Sequence, residues 1–302
     1  MDNWIRRALL VDPLRAKSVV MTVFGDAIMP RGGSVWLGSL ITLLAPFGIS
    51  DRLVRTSVFR LADEGWLEAE RSGRRSQYRF TAQGETRFTR AHDRIYAPVQ
   101  PPWDGRWTLV LFTAALSSSR RTALKKELLW EGFGHITPGV FVYPGEKGVA
   151  LQDIVTRTHS AGEMFISTAS DAAGATARPL SDLLALGWQL ETVVKDYQRF
   201  IRCFTPVQAL LSEADALEPA QAFTMRTLLI HAFRRVQLHD PQLPAACLSA
   251  GWPGGTAYAL CRDIYQRCSQ QAEHYVTETL AVEQSAVPAL SAESVGRFGL
   301  SA

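Results

Sequence analysis

Apolar positions recur at helical spacing from Ala16 to about Ile28, and Pro30-Arg31-Gly32-Gly33 breaks the pattern. Ser34 then offers an N-cap for a second helix reaching Ala45, which Pro46 ends. Gly48 supplies a tight turn, Ser50 caps a third helix running to about Glu64, and Gly65 stops it. Past Gly65 the period changes. Trp66 to Glu70 and Gln77 to Phe80 read as short strands around the turn Arg71-Ser72-Gly73-Arg74. Thr81 caps a further helix through Ile95, and Pro98, Pro101 and Pro102 mark a boundary. Helix, turn, helix and hairpin in this order spell a winged helix-turn-helix.

The next stretch alternates strand and helix. Thr108 to Phe112, Gly139 to Tyr143 and Glu163 to Thr168 read as strands, with helices at Arg120 to Glu131 and about Val149 to Thr158 between them. This β-α-β-α-β order predicts a ferredoxin-like domain. Helical patterns then dominate at Ser181 to Phe204, Gln221 to Leu238 and Thr256 to His274, separated by Asp240-Pro241 and Gly251-Trp252-Pro253-Gly254-Gly255. From about Glu283 the chain is rich in Ser, Ala and Gly, which predicts a mobile or loosely docked tail. The expected fold is α+β in three parts: a winged helix-turn-helix over 1–98, a ferredoxin-like domain over 99–178, and a helical effector and dimerisation domain over 179–302.

Composition adds constraints. With 302 residues, 47% of them apolar and 20% charged, the chain is that of a folded globular protein, with neither a disordered nor a coiled-coil composition. A net charge of +3 is too small to announce a nucleic-acid binder, but residues 1–96 hold 15 Lys and Arg against 10 Asp and Glu, so the basic excess sits beside the helix-turn-helix pattern. The four cysteines, Cys203, Cys247, Cys261 and Cys268, form no CxxC pair and lack metal spacing, which reads as reduced, mostly buried thiols. No signal peptide opens the chain and no uncharged apolar stretch approaches about 18 residues, so the expected location is cytoplasmic.

At about 100° per residue, Leu53, Val54, Ser57, Val58 and Leu61 share one side of the third helix, and Arg52, Arg55, Thr56, Phe59 and Asp63 share the other. The second side is fit for a DNA groove: Arg52 and Arg55 suit guanine edges or phosphates, and Thr56 a phosphate or thymine methyl. Phe59 either meets a thymine methyl or packs under the hairpin. In the hairpin, Arg71, Arg74, Arg75 and Arg79 fall within nine residues that contain no acid, which suits a phosphate or minor-groove clamp.

Catalytic readings fail. Gly132-Phe133-Gly134-His135-Ile136-Thr137 lacks the third glycine of a dinucleotide fingerprint, and there is no GxSxG, GxxxxGK[ST] or HExxH. No metal site and no cofactor are expected. Arg234 and Arg235, near a helix end, either bind an anionic ligand or complement the helix dipole and pair with Asp240.

The blocks Arg31-Gly32-Gly33, Trp36-Leu37-Gly38-Ser39-Leu40, Val54-Arg55-Thr56, Arg60-Leu61, Glu64-Gly65-Trp66-Leu67, Gly73-Arg74-Arg75-Ser76, Arg94-Ile95-Tyr96 and Trp103-Asp104-Gly105 are together specific. So are Gly132-Phe133-Gly134, Leu229-Ile230-His231, Arg234-Arg235-Val236, Asp240-Pro241, Leu243-Pro244 and Trp252-Pro253-Gly254. In their order and spacing the chain resembles the PaaX family of repressors of phenylacetate-degradation operons, along nearly its whole length. The resemblance implies a homodimer on a double-stranded operator, with Arg60 and Ser76 joining the DNA-facing set, released by phenylacetyl-CoA; a related regulator answering to another aromatic acyl-CoA or acid is the alternative. An acyl-CoA needs cationic and aromatic side chains, for which Arg234, Arg235, Trp252 and Tyr197 are the candidates. The family's middle domain is similar to a small CRISPR-associated nuclease fold, but here the first strand ends Leu111-Phe112-Thr113 with no carboxylate, so no nuclease activity is expected.

Overall fold

The computed structural model describes all residues except 12–13, 97–101, 114–115, 171–179, 214–216, 285 and 300–302. The expected linker at Pro98 and Pro101 and the expected boundary at 178/179 fall outside the described residues. Two compact units emerge. The first joins Met1–Ala97 with Gln198–Arg235 and Gly255–Ala302, and the second joins Pro98–Tyr197 with Val236–Gly254.

In the first unit, α1 (Asp2–Val11) precedes α2 (Ala16–Val23), which widens into a π turn at Phe24–Ile28 and tightens into a 3-10 turn at Met29–Arg31. The uniform helix expected to Ile28 is thus irregular over its last turn. The expected N-cap at Ser34 is also corrected: Ser34–Trp36 forms strand β1, and α3 (Leu37–Leu44) starts three residues later. The cause is pairing. β1 lies antiparallel to the hairpin's second strand, Ser34 opposite Arg79 and Trp36 opposite Gln77, and Gln77 Nε2 donates to Ser34 Oγ at 3.1 Å.

Gly48, with φ of +69°, turns the chain into α4 (Asp51–Asp63), and Gly65, at +72°, ends it. Strands β2 (Leu67–Ser72) and β3 (Arg75–Phe80) then make the hairpin, Ser72 opposite Arg75, with left-handed Gly73 first of the two turn residues. The three strands lie in the order β1-β3-β2. Thr81 Oγ1 accepts from Gly84 N at 2.9 Å, the predicted cap of α5 (Ala82–Tyr96).

In the second unit β4 (Arg106–Phe112), α6 (Ser118–Trp130), β5 (Gly134–Thr137), β6 (Val140–Pro144), α7 (Gly148–Thr158) and β7 (Met164–Ser170) form a sheet ordered β5-β6-β4-β7, each pair antiparallel. This is the ferredoxin-like βαββαβ arrangement, with one strand more than the sequence pattern predicts. Strand β5 begins at the second glycine of the rejected fingerprint. The carbonyl of Gly132, a residue at φ of +91°, accepts from Trp188 Nε1 at 2.8 Å, and a Cβ on Gly134 would lie 2.8 Å from the Trp188 indole. Both glycines therefore serve packing.

The remaining helices are α8 (Leu180–Gly187), α9 (Leu190–Glu213), α10 (Pro219–Gln237), α11 (Gly254–Ala281) and the short α12 (Ala292–Val295). Among the described residues no single helix is long and apolar enough to cross a membrane, and no three His, Cys, Asp or Glu side chains are placed to hold a metal. Cys247, Cys261 and Cys268 are buried and Cys203 is exposed, and none of the four is in a disulfide.

Where a mobile or loosely docked tail is expected, the first unit buries Arg297 and Phe298. Phe298 meets the rings of Tyr96, Phe233, Tyr258 and Tyr265. Arg297 donates to the carbonyls of Gly25 and Asp26 at 3.0 and 2.9 Å and to His92 Nε2 at 3.1 Å. Arg297 and Phe298 are therefore part of the core of this unit.

It docks on a buried charge network. The Asp26 carboxylate meets Arg226 Nε at 2.9 Å and accepts from Tyr96 and Tyr265 hydroxyls at 2.7 and 3.1 Å. Arg226 also pairs with Glu273 at 2.5 Å, and Glu273 pairs with Arg31 at 2.5 Å. Burial works against the Arg226 charge, but Glu273 and Asp26 more than offset it and hold its pKa above the ordinary value. Burial, reinforced by Asp26, raises the Tyr96 and Tyr265 hydroxyls, so both remain donors.

Candidate nucleic-acid interface and effector residues

Helix α4 buries Val54, Ser57, Val58 and Leu61 and exposes Arg52, Arg55, Thr56, Phe59 and Arg60. Leu53, expected on the packed side, is 51% exposed, because it sits at the edge of the apolar stripe. Phe59 is 70% exposed, so it does not pack under the hairpin. Thr56 Oγ1 donates to the Arg52 carbonyl at 2.8 Å, which leaves its lone pairs and methyl outward.

Arg71, Arg74 and Arg75 are exposed on the hairpin and Ser76 is half-buried opposite Arg71. The acid-free run is less uniform in space than in sequence. Antiparallel pairing brings Glu68 opposite Arg79, and their side chains meet at 2.9 Å, so Arg79 is partly neutralised. No carboxylate among the described residues engages Arg52, Arg55, Arg71 or Arg74. Arg75 lies over the Trp36 indole, 4.7 Å from its centroid, which orients the guanidinium while keeping its charge. Trp36 is a part of this surface that sequence reasoning missed; the signal was an aromatic just before a helix, on a strand too short to be seen alone.

The effector candidates divide between the units. In the first, Arg234 is half-buried and donates to Ser18 Oγ and the Ser18 carbonyl at 2.8 and 3.1 Å. No carboxylate among the described residues pairs with it, and its Nε is buried without a hydrogen-bond partner. Burial lowers its pKa to about 10, Arg235 pushing the same way and Tyr96 against. Arg235 is exposed. In the second unit Tyr197 is buried and donates to Asp240 Oδ2 at 2.5 Å, its ring edge-on to Trp252 at 5.9 Å. Trp252 is half-buried.

Three family profiles match in succession: a PaaX-like protein over residues 15–84, the PaaX protein central Cas2-like domain over 100–180, and the PaaX-like protein C-terminal domain over 188–278. The chain is 39% identical to the transcriptional repressor PaaX of Escherichia coli (strain K12), over 99% of this chain and 95% of that one. It also shares a fold with the uncharacterized protein Rv0674 from Mycobacterium tuberculosis, with a TM-score of 0.54 and 24% identity, covering 86% of this chain and 98% of that one.

Proposed function

Because the chain belongs to the PaaX-like family and is a transcriptional repressor of the PaaX type, we propose that it binds a promoter operator as a homodimer and leaves it when phenylacetyl-CoA binds. The observation that carries the DNA reading is the pairing of an arginine-bearing outer face on α4 with a tight hairpin whose tip holds Arg71, Arg74 and Arg75, all exposed. A helix of this kind fits the major groove, and a basic hairpin fits the backbone beside it. Arg52 and Arg55 read base edges or phosphates, Thr56 and Phe59 lie against the groove wall, and Arg60, Arg71, Arg74, Arg75 and Ser76 hold the backbone.

Release follows from linkage. Phenylacetyl-CoA shifts the population only as far as it binds the DNA-free conformation better than the bound one. Its phosphates need cations, and Arg234 supports that role because a half-buried guanidinium without a carboxylate gains from an anion. Arg235, in the same unit, lends a second charge. The regulated genes would then be transcribed when phenylacetyl-CoA accumulates.

Arg234→Ala separates the two halves of this reading. The variant should hold the operator as the wild type does but require at least tenfold more phenylacetyl-CoA to leave it, measured by fluorescence anisotropy. An unchanged release curve would remove Arg234 from the effector site.

A further inference from the structure

We propose that Glu283, just beyond the end of α11, is a positioning residue: its carboxylate caps α3 and holds the helix-turn-helix in the pose that DNA requires. This rests on the repressor reading above for its consequence, and on separate geometry for its cause.

The first turn of a helix presents amides with no partner inside the helix. Here the residue before α3 is Trp36, whose side chain has no oxygen to offer, and Ser34 is committed to β1. The missing acceptor comes from 244 residues away. Glu283 Oε2 accepts from the Ser39 amide at 2.5 Å and from Ser39 Oγ at 2.8 Å. A carboxylate is the favoured group at this end of a helix, where the peptide dipoles present their positive pole. Gly38 completes the fit, since a Cβ there would stand 2.6 Å from Glu283 Oε1 and 2.7 Å from Oε2.

The same helix grips the chain one strand earlier. Glu273 pairs with Arg31 at 2.5 Å, and Thr277 Oγ1 accepts from Arg31 at 3.1 Å. Thus the C-terminal half of α11 and the turn after it hold the protein on both sides of β1, at Arg31 and at Ser39. Helix α3 packs on α4, and Trp36 carries the Arg75 guanidinium. A displacement at Ser39 therefore reaches both elements proposed to meet DNA, and a ligand that shifts α11 has a direct route to them.

The test uses full-length Glu283→Ala, Glu283→Gln, Gly38→Ala and the double variant Gly38→Ala/Glu283→Ala. Hydrogen exchange of residues 37–44 and anisotropy on the upstream promoter fragment at several salt concentrations are measured for each. Glu283→Ala should speed exchange in 37–44 and weaken operator binding about two- to thirtyfold, the range expected for a lost N-cap. The salt slope should stay as in wild type, because every cation that faces a phosphate is kept. Glu283→Gln, which keeps one acceptor oxygen, should recover part of the loss. Gly38→Ala should displace the carboxylate and match Glu283→Ala, and the double variant should be no worse than either single one. Losses that multiply in the double variant, or unchanged exchange in 37–44, would overturn the cap. Tighter binding by Glu283→Ala would overturn it too, since the carboxylate would then be competing with a phosphate. If wild type bound no DNA, the repressor reading would fall while the exchange data still decided on the cap.

Discussion

Arg55 and the pair Arg74-Arg75 carry the same charge on different scaffolds, and that difference predicts different effects. Arg55 stands on the outer face of a rigid helix, so Arg55→Ala should cost about 1–3 kcal/mol on the operator and much less on scrambled duplex if it makes a bidentate base contact. Arg74→Ala with Arg75→Ala should weaken both duplexes and lower the salt slope by about 0.9 for each phosphate that is no longer neutralised. Anisotropy on both duplexes between low and physiological salt separates the two patterns, and equal affinity of every variant for the operator would contradict both assignments. The exposure of these residues was legible because it follows helical and strand periodicity, which one short segment contains. The ion pairs of Asp26 were not. Asp26 stands alone in the apolar run Phe24-Gly25-Asp26-Ala27-Ile28, and only that isolation hinted at a partner, since Arg226 lies 200 residues on.

Elements were legible where their own residues decide them and illegible where a distant partner does. Helix α4 is bounded by its own glycines, Gly48 and Gly65, and the hairpin by Gly73. Strand β1 has only three residues and exists because β3 accepts it, so Ser34 read as a helix cap. The tail read as mobile or loosely docked because Ser, Ala and Gly dominate it, yet Arg297 and Phe298 anchor it. Two substitutions test that anchoring. Phe298→Ala should lower stability by about 3–5 kcal/mol, as emptying a buried aromatic site does. Asp26→Ala should cost a similar amount, about 3–5 kcal/mol, because Arg226 would remain fully buried with one carboxylate instead of two. Denaturant unfolding followed by circular dichroism reads both, and losses below about 0.5 kcal/mol, the ordinary effect of a surface substitution, would mean that the tail and the network are peripheral to the first unit.

At the scale of the whole molecule, three consecutive family segments are redistributed into two compact units, and parts of α10 and α11 share a unit with the helix-turn-helix. A linear reading assigns each stretch its own domain because composition and punctuation change along the chain. It has no means of seeing Arg226 and Glu273 return to Asp26 and Arg31. Helix α10, which carries Arg234 and Arg235, thus belongs largely to the same body as α3, α4 and the hairpin. The most direct measurement is fluorescence anisotropy of the full-length protein on a labelled fragment of its own upstream promoter, titrated in parallel with phenylacetyl-CoA, free phenylacetate and unsubstituted CoA. Salt-sensitive binding that phenylacetyl-CoA alone releases is the predicted result; a complex that all three leave intact, or that free CoA releases equally well, would contradict it.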